Sequence, residues 1–401
     1  MNVQEAGSLH VAGSFASSEK LLKKEIAMTY QIHPERGMIN RGNWCMLKKC
    51  MKKALSGETV RVGFLGGSIT QGSLSSTPET CYAYLVYQWW KQKFPKTEIV
   101  YINGGIGGTT SQFGVSRVKE HMLCHKPDFL LVEFAVNDDN TEFFRETYEG
   151  LIRTILKSEE APALLLMNNV RYDDGVNAEE MHQEIAKAYE LPMVSMKRTI
   201  WPEVESGRIP AAEITPDCLH PNDAGHSLVA QVITHFLEQV YREVDQEETC
   251  PFENGTLPSP VTVNAYEDSV RYQNHNSTPV LQGFAADEQP QKDILDIFRR
   301  GFTASREGDK ITFTITCTGV AVQYRKSVKQ PTPIARVVID GKEEEAMLLD
   351  GNFEEDWGDC LYIDTVMRHG ELKEHQVEIT IVEAHDNDVV PFYLVSVIGS
   401  R

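Results

Sequence analysis

The feature that most constrains the fold is a change in apolar periodicity near residue 250. Before it, between residues 59 and 242, short apolar runs alternate with longer amphipathic stretches. The runs predict strands buried on both faces, at residues 60–65, 99–102, 129–136, 163–167 and 193–195. Helices are predicted at 82–93, 112–121, 144–158 and 178–189, and another follows Pro221. Such a pattern indicates a three-layer α/β domain with a parallel sheet between two layers of helices.

After residue 262 the apolar residues recur with period two. The alternation is clean over 311–316 and partial over 320–324, 377–382 and 392–397. Asp340-Gly341, after an apolar run at 335–339, predicts a two-residue hairpin turn. Short antiparallel strands with few helices are typical of a β-sandwich or jelly roll.

The chain is 401 residues long, which favours two or three domains. Residues 249–262 carry three prolines and one glycine and are interpreted as a linker. The predicted organisation is an N-terminal arm over 1–40 with a helix at 21–28, an α/β domain over 41–248, and a β-sandwich domain over 263–401.

The net charge of the chain restricts the kinds of molecule that it is expected to bind. The chain has 39 basic and 58 acidic residues, a net charge of −19, and no basic stripe. Such a surface repels a phosphate backbone or an anionic membrane, so neither nucleic acid nor membrane is expected as a partner. A neutral substrate fits this charge better, and association of the chain with copies of itself is left open.

The eight cysteines are scattered and form no C-x-x-C pair. We expect them to be reduced and mostly buried, as in a cytoplasmic protein. The first 18 residues have no basic stretch followed by an apolar run, which predicts that no secretory signal is present. The spacing of cysteines and histidines predicts no metal site.

Residues suited to catalysis follow three of the predicted strands, where sites form in open parallel sheets. Ser68 follows two glycines after the first strand, and the glycines permit a tight turn. The second strand leads into the glycine-rich segment 104–108, which suits a phosphate cradle or a backbone N–H directed at an oxyanion. It matches neither the dinucleotide fingerprint nor a Walker motif. After the third strand, the amide of Asn137 is a second oxyanion donor or else a helix cap.

The fourth segment contains Asp217 and His220, three residues apart and followed by Pro221. In a turn, the carboxylate can accept a hydrogen bond from Nδ1–H, which leaves Nε2 free to take a proton from Ser68. Pro221 disfavours a helix at His220, and Asn222 is placed to cap a helix from about residue 223. Alone this pattern is more often a helix-entry turn, but the four segments in this order indicate one site.

Residues 59–240 resemble the SGNH, or GDSL-like, hydrolases, whose four sequence blocks match the segments around Ser68, Gly108, Asn137 and His220. The resemblance implies a flavodoxin-like α/β/α fold and a serine esterase that needs no cofactor. It assigns Ser68 as nucleophile, His220 as general base and Asp217 as its partner. The backbone N–H groups of Ser68 and Gly108 and the Asn137 side chain would form the oxyanion hole.

Two positions depart from the family pattern. Gly67 stands where Asp is usual, and Ala135 stands where the third block usually has Gly. Neither change removes a catalytic group, so they bear on the subfamily and the substrate. Glu133 interrupts an apolar strand and is interpreted as a paired internal carboxylate that takes no part in catalysis.

The order of the two domains resembles bacterial acetylesterases that remove O-acetyl groups from mannan or xylan oligosaccharides. In those proteins a carbohydrate-binding jelly roll, similar to family-35 modules, can lean over the catalytic crevice. An acetylated oligosaccharide is therefore the expected substrate. Trp357 is a candidate for stacking on a sugar ring, or else part of the sandwich core, and Trp201 is a candidate for the rim of the crevice.

Two other functions stay open at this point. The chain could be a lipid or thioester acylhydrolase of the same fold, which needs an apolar acyl groove that no sequence pattern reveals. It could also be a sugar-binding protein with an inactive hydrolase domain. The set Ser68, Gly108, Asn137, Asp217 and His220 argues against the inactive alternative, because a disused site need not retain all five.

Overall fold

A computed structural model describes residues 30–252 and 256–401. The helix predicted at 21–28, and most of the predicted arm, lie outside the described residues. No helix in the described residues is long and apolar enough to cross a membrane.

The first domain is built on a six-stranded sheet. Its strands are β1 (Met38–Asn40), β2 (Val60–Gly66), β3 (Ile99–Gly105), β4 (Phe129–Glu133), β5 (Ala163–Asn168) and β6 (Met193–Ser195). The order across the sheet is β1-β6-β5-β4-β2-β3, and all neighbours are parallel except β1, which is antiparallel to β6. Without β1 this is the flavodoxin-like order, in which the chain changes direction of growth at β2.

Helices cover both faces of this sheet. They are α1 (Cys45–Leu55), α2 (Ser68–Gln71), α3 (Tyr82–Lys93), α4 (Ser111–His121), α5 (Glu142–Leu156), α6 (Glu179–Ala188), α7 (Trp201–Glu205), α8 (Ala211–Ile214) and α9 (Asp223–Arg242). Helices α1, α3 and α9 share one core with Phe129 and Leu131 of β4. Helices α4, α5 and α6 share the other with Leu130 and Val132. The central strand is thus buried on both faces, which explains its unbroken apolar sequence.

Three details of this domain differ from the sequence-based expectations. Strand β1 falls within the segment interpreted as an arm, yet it extends the sheet at the β6 edge. The third strand ends at Glu133, because the apolar residues after it are buried in a turn. Cys45 and Cys250, expected to be reduced, form a disulfide across 205 residues of sequence. The cysteine argument for a cytoplasmic location does not hold for this pair, and the location stays a prediction.

The second domain is a sandwich of two antiparallel sheets. Its strands are β7 (Val270–Tyr272), β8 (Val280–Gln282), β9 (Ala285–Ala286), β10 (Phe302–Ala304), β11 (Lys310–Cys317), β12 (Gly319–Lys326), β13 (Ile334–Ile339), β14 (Met347–Asp350), β15 (Cys360–Met367), β16 (Lys373–Glu383) and β17 (Phe392–Ser400). One sheet has the order β15-β12-β17-β10-β9, with β7 beside β17, and the other has the order β14-β13-β16-β11-β8. The facing apolar residues of the two sheets form one core. The predicted β-sandwich is confirmed.

The two-residue hairpin predicted at Asp340-Gly341 is wrong. Both residues have the positive φ values that such a turn requires, 53° and 70°. A turn does close there, through the hydrogen bond from Lys342 N to the Ile339 carbonyl. However, a short 3₁₀ helix follows, and pairing between β13 and β14 begins only at Val337 and Met347. The local turn signal was correct, but it did not set the length of the connection.

The two domains pack together through an apolar cluster. Ile106, in the loop after β3, and Phe113 of α4 contact Leu361, Tyr393 and Val395 of the sandwich. Strand β17 is therefore buried on both faces, since Leu394 points into the sandwich core. The sandwich domain lies directly against the loop that carries Gly108.

Polar contacts extend this interface. Glu120 of α4 forms ion pairs with Arg271 and Arg300, at 2.6 and 2.7 Å. Gln112 donates to the Thr365 hydroxyl at 2.8 Å. Buried Glu149 of α5 accepts hydrogen bonds from the N–H groups of Val261 and Thr262, both at 2.8 Å. The end of the predicted linker is thus attached to the α/β domain, while the domain boundaries themselves stay predictions.

Candidate active site

Ser68 lies at the carboxyl end of β2, between the ends of β3 and β4. It is the first residue of the short helix α2, and 7% of its surface is exposed. Gly105 makes this position possible, because a Cβ there would overlap the main chain of Gln71 in α2. The glycines at the strand ends therefore allow α2 to pack closely against the sheet.

Ser68, His220 and Asp217 form a continuous chain of hydrogen bonds. His220 Nε2 lies 2.8 Å from Ser68 Oγ, and His220 Nδ1 lies 2.6 Å from Asp217 Oδ2. The other oxygen of Asp217 accepts from the N–H groups of Leu219 and His220, at 3.0 and 2.7 Å. The carboxylate thus holds both the ring of His220 and the turn that carries it. This is the arrangement in which an imidazole can remove a proton from a serine hydroxyl.

The turn between Asp217 and His220 is fixed by its backbone. Cys218 has a positive φ of 63°, and its carbonyl accepts a hydrogen bond from Tyr172 N at 2.7 Å. This conformation turns the chain so that the carboxylate and the imidazole face each other. Asn222 caps α9 as the sequence predicts, and its side chain accepts from Gly225 N at 3.1 Å.

The environment keeps Asp217 ionised. Burial alone would raise the pKa of this carboxyl group. The hydrogen bonds from the His220 ring and from the main-chain N–H groups of His220 and Leu219 outweigh that effect and lower its pKa below the usual value. Asp217 is therefore negatively charged at neutral pH, as required to stabilise an imidazolium on His220.

The segment after β3 lies beside the serine. A Cβ on Gly107 would be 3.7 Å from Ser68 Cβ, and the Gly107 N–H donates to the Gln71 side chain at 2.6 Å. Gly108 has a φ of 66°, which favours glycine, and a Cβ there would contact no atom within 4 Å. The glycine-rich segment is therefore required by backbone conformation and by its closeness to Ser68.

Asn137 follows the end of β4, and its side chain lies against Gly67, the residue before Ser68. A Cβ on Gly67 would lie 2.6 Å from Asn137 Oδ1 and 3.5 Å from the Thr109 carbonyl. Three segments thus meet next to Ser68, the candidate nucleophile, and the amide oxygen of Asn137 faces Gly67. A side chain at position 67 would require the Asn137 amide to shift from its present position.

A buried network that sequence reasoning missed connects the two segments that carry the candidate oxyanion donors Gly108 and Asn137. Asp138 accepts from the N–H of Ser111, at the start of α4, at 2.8 Å. Its other oxygen lies 3.1 Å from His182 Nε2, and the His182 ring stacks on Tyr148. Asp138 adjoins Asn137, and Ser111 follows the Gly108 loop, so the network links the two. The only sequence feature that pointed to this network was the position of Asp138, directly after the candidate oxyanion donor Asn137.

The two aromatic candidates lie in different environments. Trp357 is 59% exposed, in the connection between β14 and β15, and its ring contacts Phe353 edge to face. The alternative that it belongs to the sandwich core is therefore wrong. Trp201 is half-buried and packs against Gly175. The loop that contains Gly175 also contains Tyr172, whose N–H donates to the Cys218 carbonyl. Trp201 is therefore separated from the His220 turn by this loop. Its place at the rim of the crevice stays a prediction.

Glu133 is not the paired carboxylate that was expected. It is fully buried at the end of β4, where Oε1 accepts from Ala135 N at 3.1 Å. Among the described residues, Oε2 has no hydrogen-bond partner and no basic side chain forms an ion pair with it. Burial raises its pKa to about 8, so the group is mostly protonated at neutral pH. A buried carboxyl group without an ion-pair partner avoids the cost of a buried charge in this way.

Comparison with known proteins agrees with this geometry. Residues 64–228 match the model of the GDSL-like lipase/acylhydrolase family. The chain is also 55% identical to a protein whose crystal structure is described as a two-domain esterase (CEX) active on acetylated mannans. The match covers 92% of this chain and 99% of that one, with a TM-score of 0.90. The structure of that esterase co-crystallised with mannopentaose aligns equally well, at 55% identity and a TM-score of 0.89.

A more distant relative is thioesterase 1/protease 1/lysophospholipase L1 of Escherichia coli strain K12. It is 26% identical over 187 residues, which are 44% of this chain and 82% of the relative. The protein described here belongs to the GDSL-like hydrolases and is a two-domain carboxylic ester hydrolase.

The contact between Gly67 and Asn137 gives a first prediction. Gly67→Ala should lower kcat about tenfold or more, because the new Cβ displaces an oxyanion donor, whereas Asn137→Ala should cost about 10²–10³. The double variant should be no slower than Asn137→Ala, since both changes act on one group. Steady-state hydrolysis of p-nitrophenyl acetate by the four proteins measures this. Independent, multiplicative losses in the double variant would show that Gly67 acts by another route.

The state of Glu133 gives a second prediction. Its pKa is raised in the folded protein, so the folded state binds more protons than the unfolded state between pH about 4.5 and 8. The contribution of Glu133 to stability should therefore fall as pH rises through that range and level off above it. Glu133→Gln keeps the acceptor for Ala135 N and removes the titration.

Urea unfolding of both proteins at several pH values between 5 and 9 tests this. The stability of Glu133→Gln relative to the native protein should increase with pH, by at most about 1.4 kcal/mol per pH unit. A difference that stays constant with pH would mean that Glu133 is ionised when folded.

Proposed function

We propose that this protein is a serine esterase that removes O-acetyl groups from oligosaccharides of the mannan or xylan type. The observation that carries the proposal is the hydrogen-bonded chain from Ser68 Oγ through His220 to Asp217, with contacts of 2.8 and 2.6 Å. Nucleophile, base and orienting carboxylate are thus already in contact, and no metal or organic cofactor is required.

The reaction proceeds through an acyl-enzyme. Ser68 Oγ attacks the carbonyl carbon of the acetyl ester while His220 Nε2 takes the hydroxyl proton. The tetrahedral intermediate collapses, and the sugar hydroxyl leaves with the proton that His220 returns. Water, activated by the same imidazole, then attacks the acetyl-serine and releases acetate. Asp217 stays ionised throughout and stabilises the imidazolium.

The negative oxygen of each intermediate needs donors already in place. The N–H groups of Ser68 and Gly108 and the amide of Asn137 are assigned this role. Their support is the convergence of three strand ends, with Gly107 beside Ser68 and Asn137 against Gly67. Donors fixed before the reaction cost no reorganisation when the charge develops.

Two observations support a carbohydrate ester as substrate. The two-domain esterase with 55% identity is described as active on acetylated mannans, and it matches this chain across both domains. In addition, Trp357 is largely exposed and lies four residues before Leu361, which belongs to the cluster at the Ile106 loop. An exposed indole in the chain segment that leads into this cluster suits stacking on the C–H face of a sugar ring.

A lipid or thioester acylhydrolase is the second candidate. It is favoured by the bacterial thioesterase/lysophospholipase, but that match is 26% identical and covers less than half of this chain. Comparing p-nitrophenyl acetate with p-nitrophenyl octanoate distinguishes the candidates. An acetylesterase should have the higher kcat/KM on acetate, and a preference for octanoate would favour the acylhydrolase.

The third candidate is a sugar-binding protein without catalytic activity. Replacing each residue of the proposed triad tests whether the protein is an active esterase. Ser68→Ala and His220→Ala should each lower turnover of p-nitrophenyl acetate by several orders of magnitude, and Asp217→Ala should cost less, because it retains the base. Ser158→Ala, at a half-buried serine just after the end of α5, is the matched control and should keep full activity. A fluorophosphonate should label the native protein at Ser68. Unchanged turnover in Ser68→Ala would refute the assignment.

The role of Trp357 is tested by separating sugar binding from chemistry. Trp357→Ala should raise KM for an acetylated mannan oligosaccharide about tenfold, because loss of ring stacking removes about 1 kcal/mol or more. Hydrolysis of p-nitrophenyl acetate should not change, since this substrate has no sugar ring. Leu348→Ala, at an equally exposed apolar residue on β14, serves as the control. Equal effects on both substrates would assign Trp357 a structural role only.

A further inference from the structure

Arg117 of α4 is a fully buried cation behind the active-site strands. Its Nη1 donates to the Gly104 carbonyl at 2.7 Å, and its Nη2 donates to the Gly66 carbonyl at 3.0 Å. Within residues 30–252 and 256–401, no carboxylate forms an ion pair with it. The planar guanidinium therefore bridges the carboxyl ends of two neighbouring parallel strands, β2 and β3.

Burial of an unpaired cation is costly, so the arrangement needs a reason. Burial, and secondarily the charge of Arg271, lower the pKa of Arg117 to about 9. The side chain is still protonated at neutral pH. The Phe113 ring contacts both Arg117 and Arg271, with its centroid 5.2 and 5.3 Å from the two guanidinium carbons. Arg117 is thus held in place by the same helix that packs on the sandwich domain.

The two carbonyls lie where the catalytic segments begin. Gly66 precedes Gly67 and Ser68, and its carbonyl also accepts from Ile106 N at 3.1 Å. Gly104 is two residues before Ile106 and four before Gly108. Movement of either strand end would change the position of Ser68 relative to the Gly108 N–H. The planar guanidinium of Arg117 is bonded to both strand ends and limits that movement.

We propose that Arg117 is a positioning residue of the esterase reaction, which fixes the nucleophile and the oxyanion donor relative to each other through the carbonyls of Gly66 and Gly104. The inference rests on the proposed function. Arg117 touches no substrate and acts through the two strand ends. Its loss should therefore lower kcat, because alignment errors near 1 Å can cost about 10²-fold in rate, and should leave KM nearly unchanged.

Arg153 provides a matched control. It is also a buried arginine on a helix of the same layer, but its guanidinium binds Glu267, the Tyr189 hydroxyl and the Pro258 carbonyl. Replacing it removes a buried guanidinium whose hydrogen-bond partners all lie outside the catalytic segments. Arg153→Met should therefore lower the unfolding temperature and leave kcat of the folded protein unchanged.

The experiment compares Arg117→Met, Arg117→Lys and Arg153→Met in the full chain, with p-nitrophenyl acetate as substrate and below the unfolding temperature of each variant. Arg117→Met should lower kcat about 10–10²-fold, with KM within threefold of the native value. Arg117→Lys should lose about tenfold, because one ammonium group does not reproduce the planar fork. The rate of Ser68 labelling by a fluorophosphonate should fall in parallel with kcat.

Wild-type kcat in folded Arg117→Met, or an equal loss of kcat in Arg153→Met, would overturn the proposal. If Arg117→Met does not fold, Arg117→Lys decides, and wild-type kcat in that variant would also overturn it. Ser68→Ala separates this result from the proposed function. Activity retained in Ser68→Ala refutes the esterase mechanism itself, whereas activity retained only in the Arg117 variants refutes the positioning role.

Discussion

The parallel pairing of β2 with both β3 and β4 is the constraint on which the active site depends. Because the three strands run in the same direction, the chain leaves each of them at one edge of the sheet. Ser68, the Gly107-Gly108 segment and Asn137 follow these strands and meet there. A fourth segment, between α8 and α9, brings His220 to the same edge, where Nε2 lies 2.8 Å from Ser68 Oγ. The reaction geometry thus follows from strand order more than from any local motif.

Polar side chains around the candidate active site, two of them buried, hold this edge together. Asp138 connects the Asn137 turn to the start of α4, and Gln71 fixes the Gly107 N–H. Arg117 binds the ends of β2 and β3. All three lie next to the candidate catalytic residues without belonging to the candidate triad, and each satisfies main-chain groups at or near the ends of regular elements. Helix α4 is common to two of these contacts, so its position influences the whole site.

Helix α4 is also where the sandwich domain attaches. Phe113 and the preceding Ile106 pack against Leu361, Tyr393 and Val395, and Glu120 pairs with Arg271. The second domain therefore contacts the loop that presents Gly108, in addition to carrying the exposed Trp357. A deletion of this domain would remove both a sugar-stacking candidate and the support of an active-site loop. Activity on small esters would then fall because the Gly108 loop has lost its support. Activity on oligosaccharides would fall for this reason and also because Trp357 is missing.

The sequence alone determined the two architectures, because buried parallel strands and alternating antiparallel strands have different apolar periods. It also determined the candidate triad and the oxyanion residues, since each lies in a short segment directly after a strand or before a helix. Tertiary structure alone decided the rest. Four features depend on residues far apart in the chain. They are the disulfide between Cys45 and Cys250, the edge strand Met38–Asn40, the raised pKa of Glu133, and the two hydrogen bonds of Arg117. No local pattern encodes such contacts, because burial and partners at these positions exist only after the strands and the two domains have packed together.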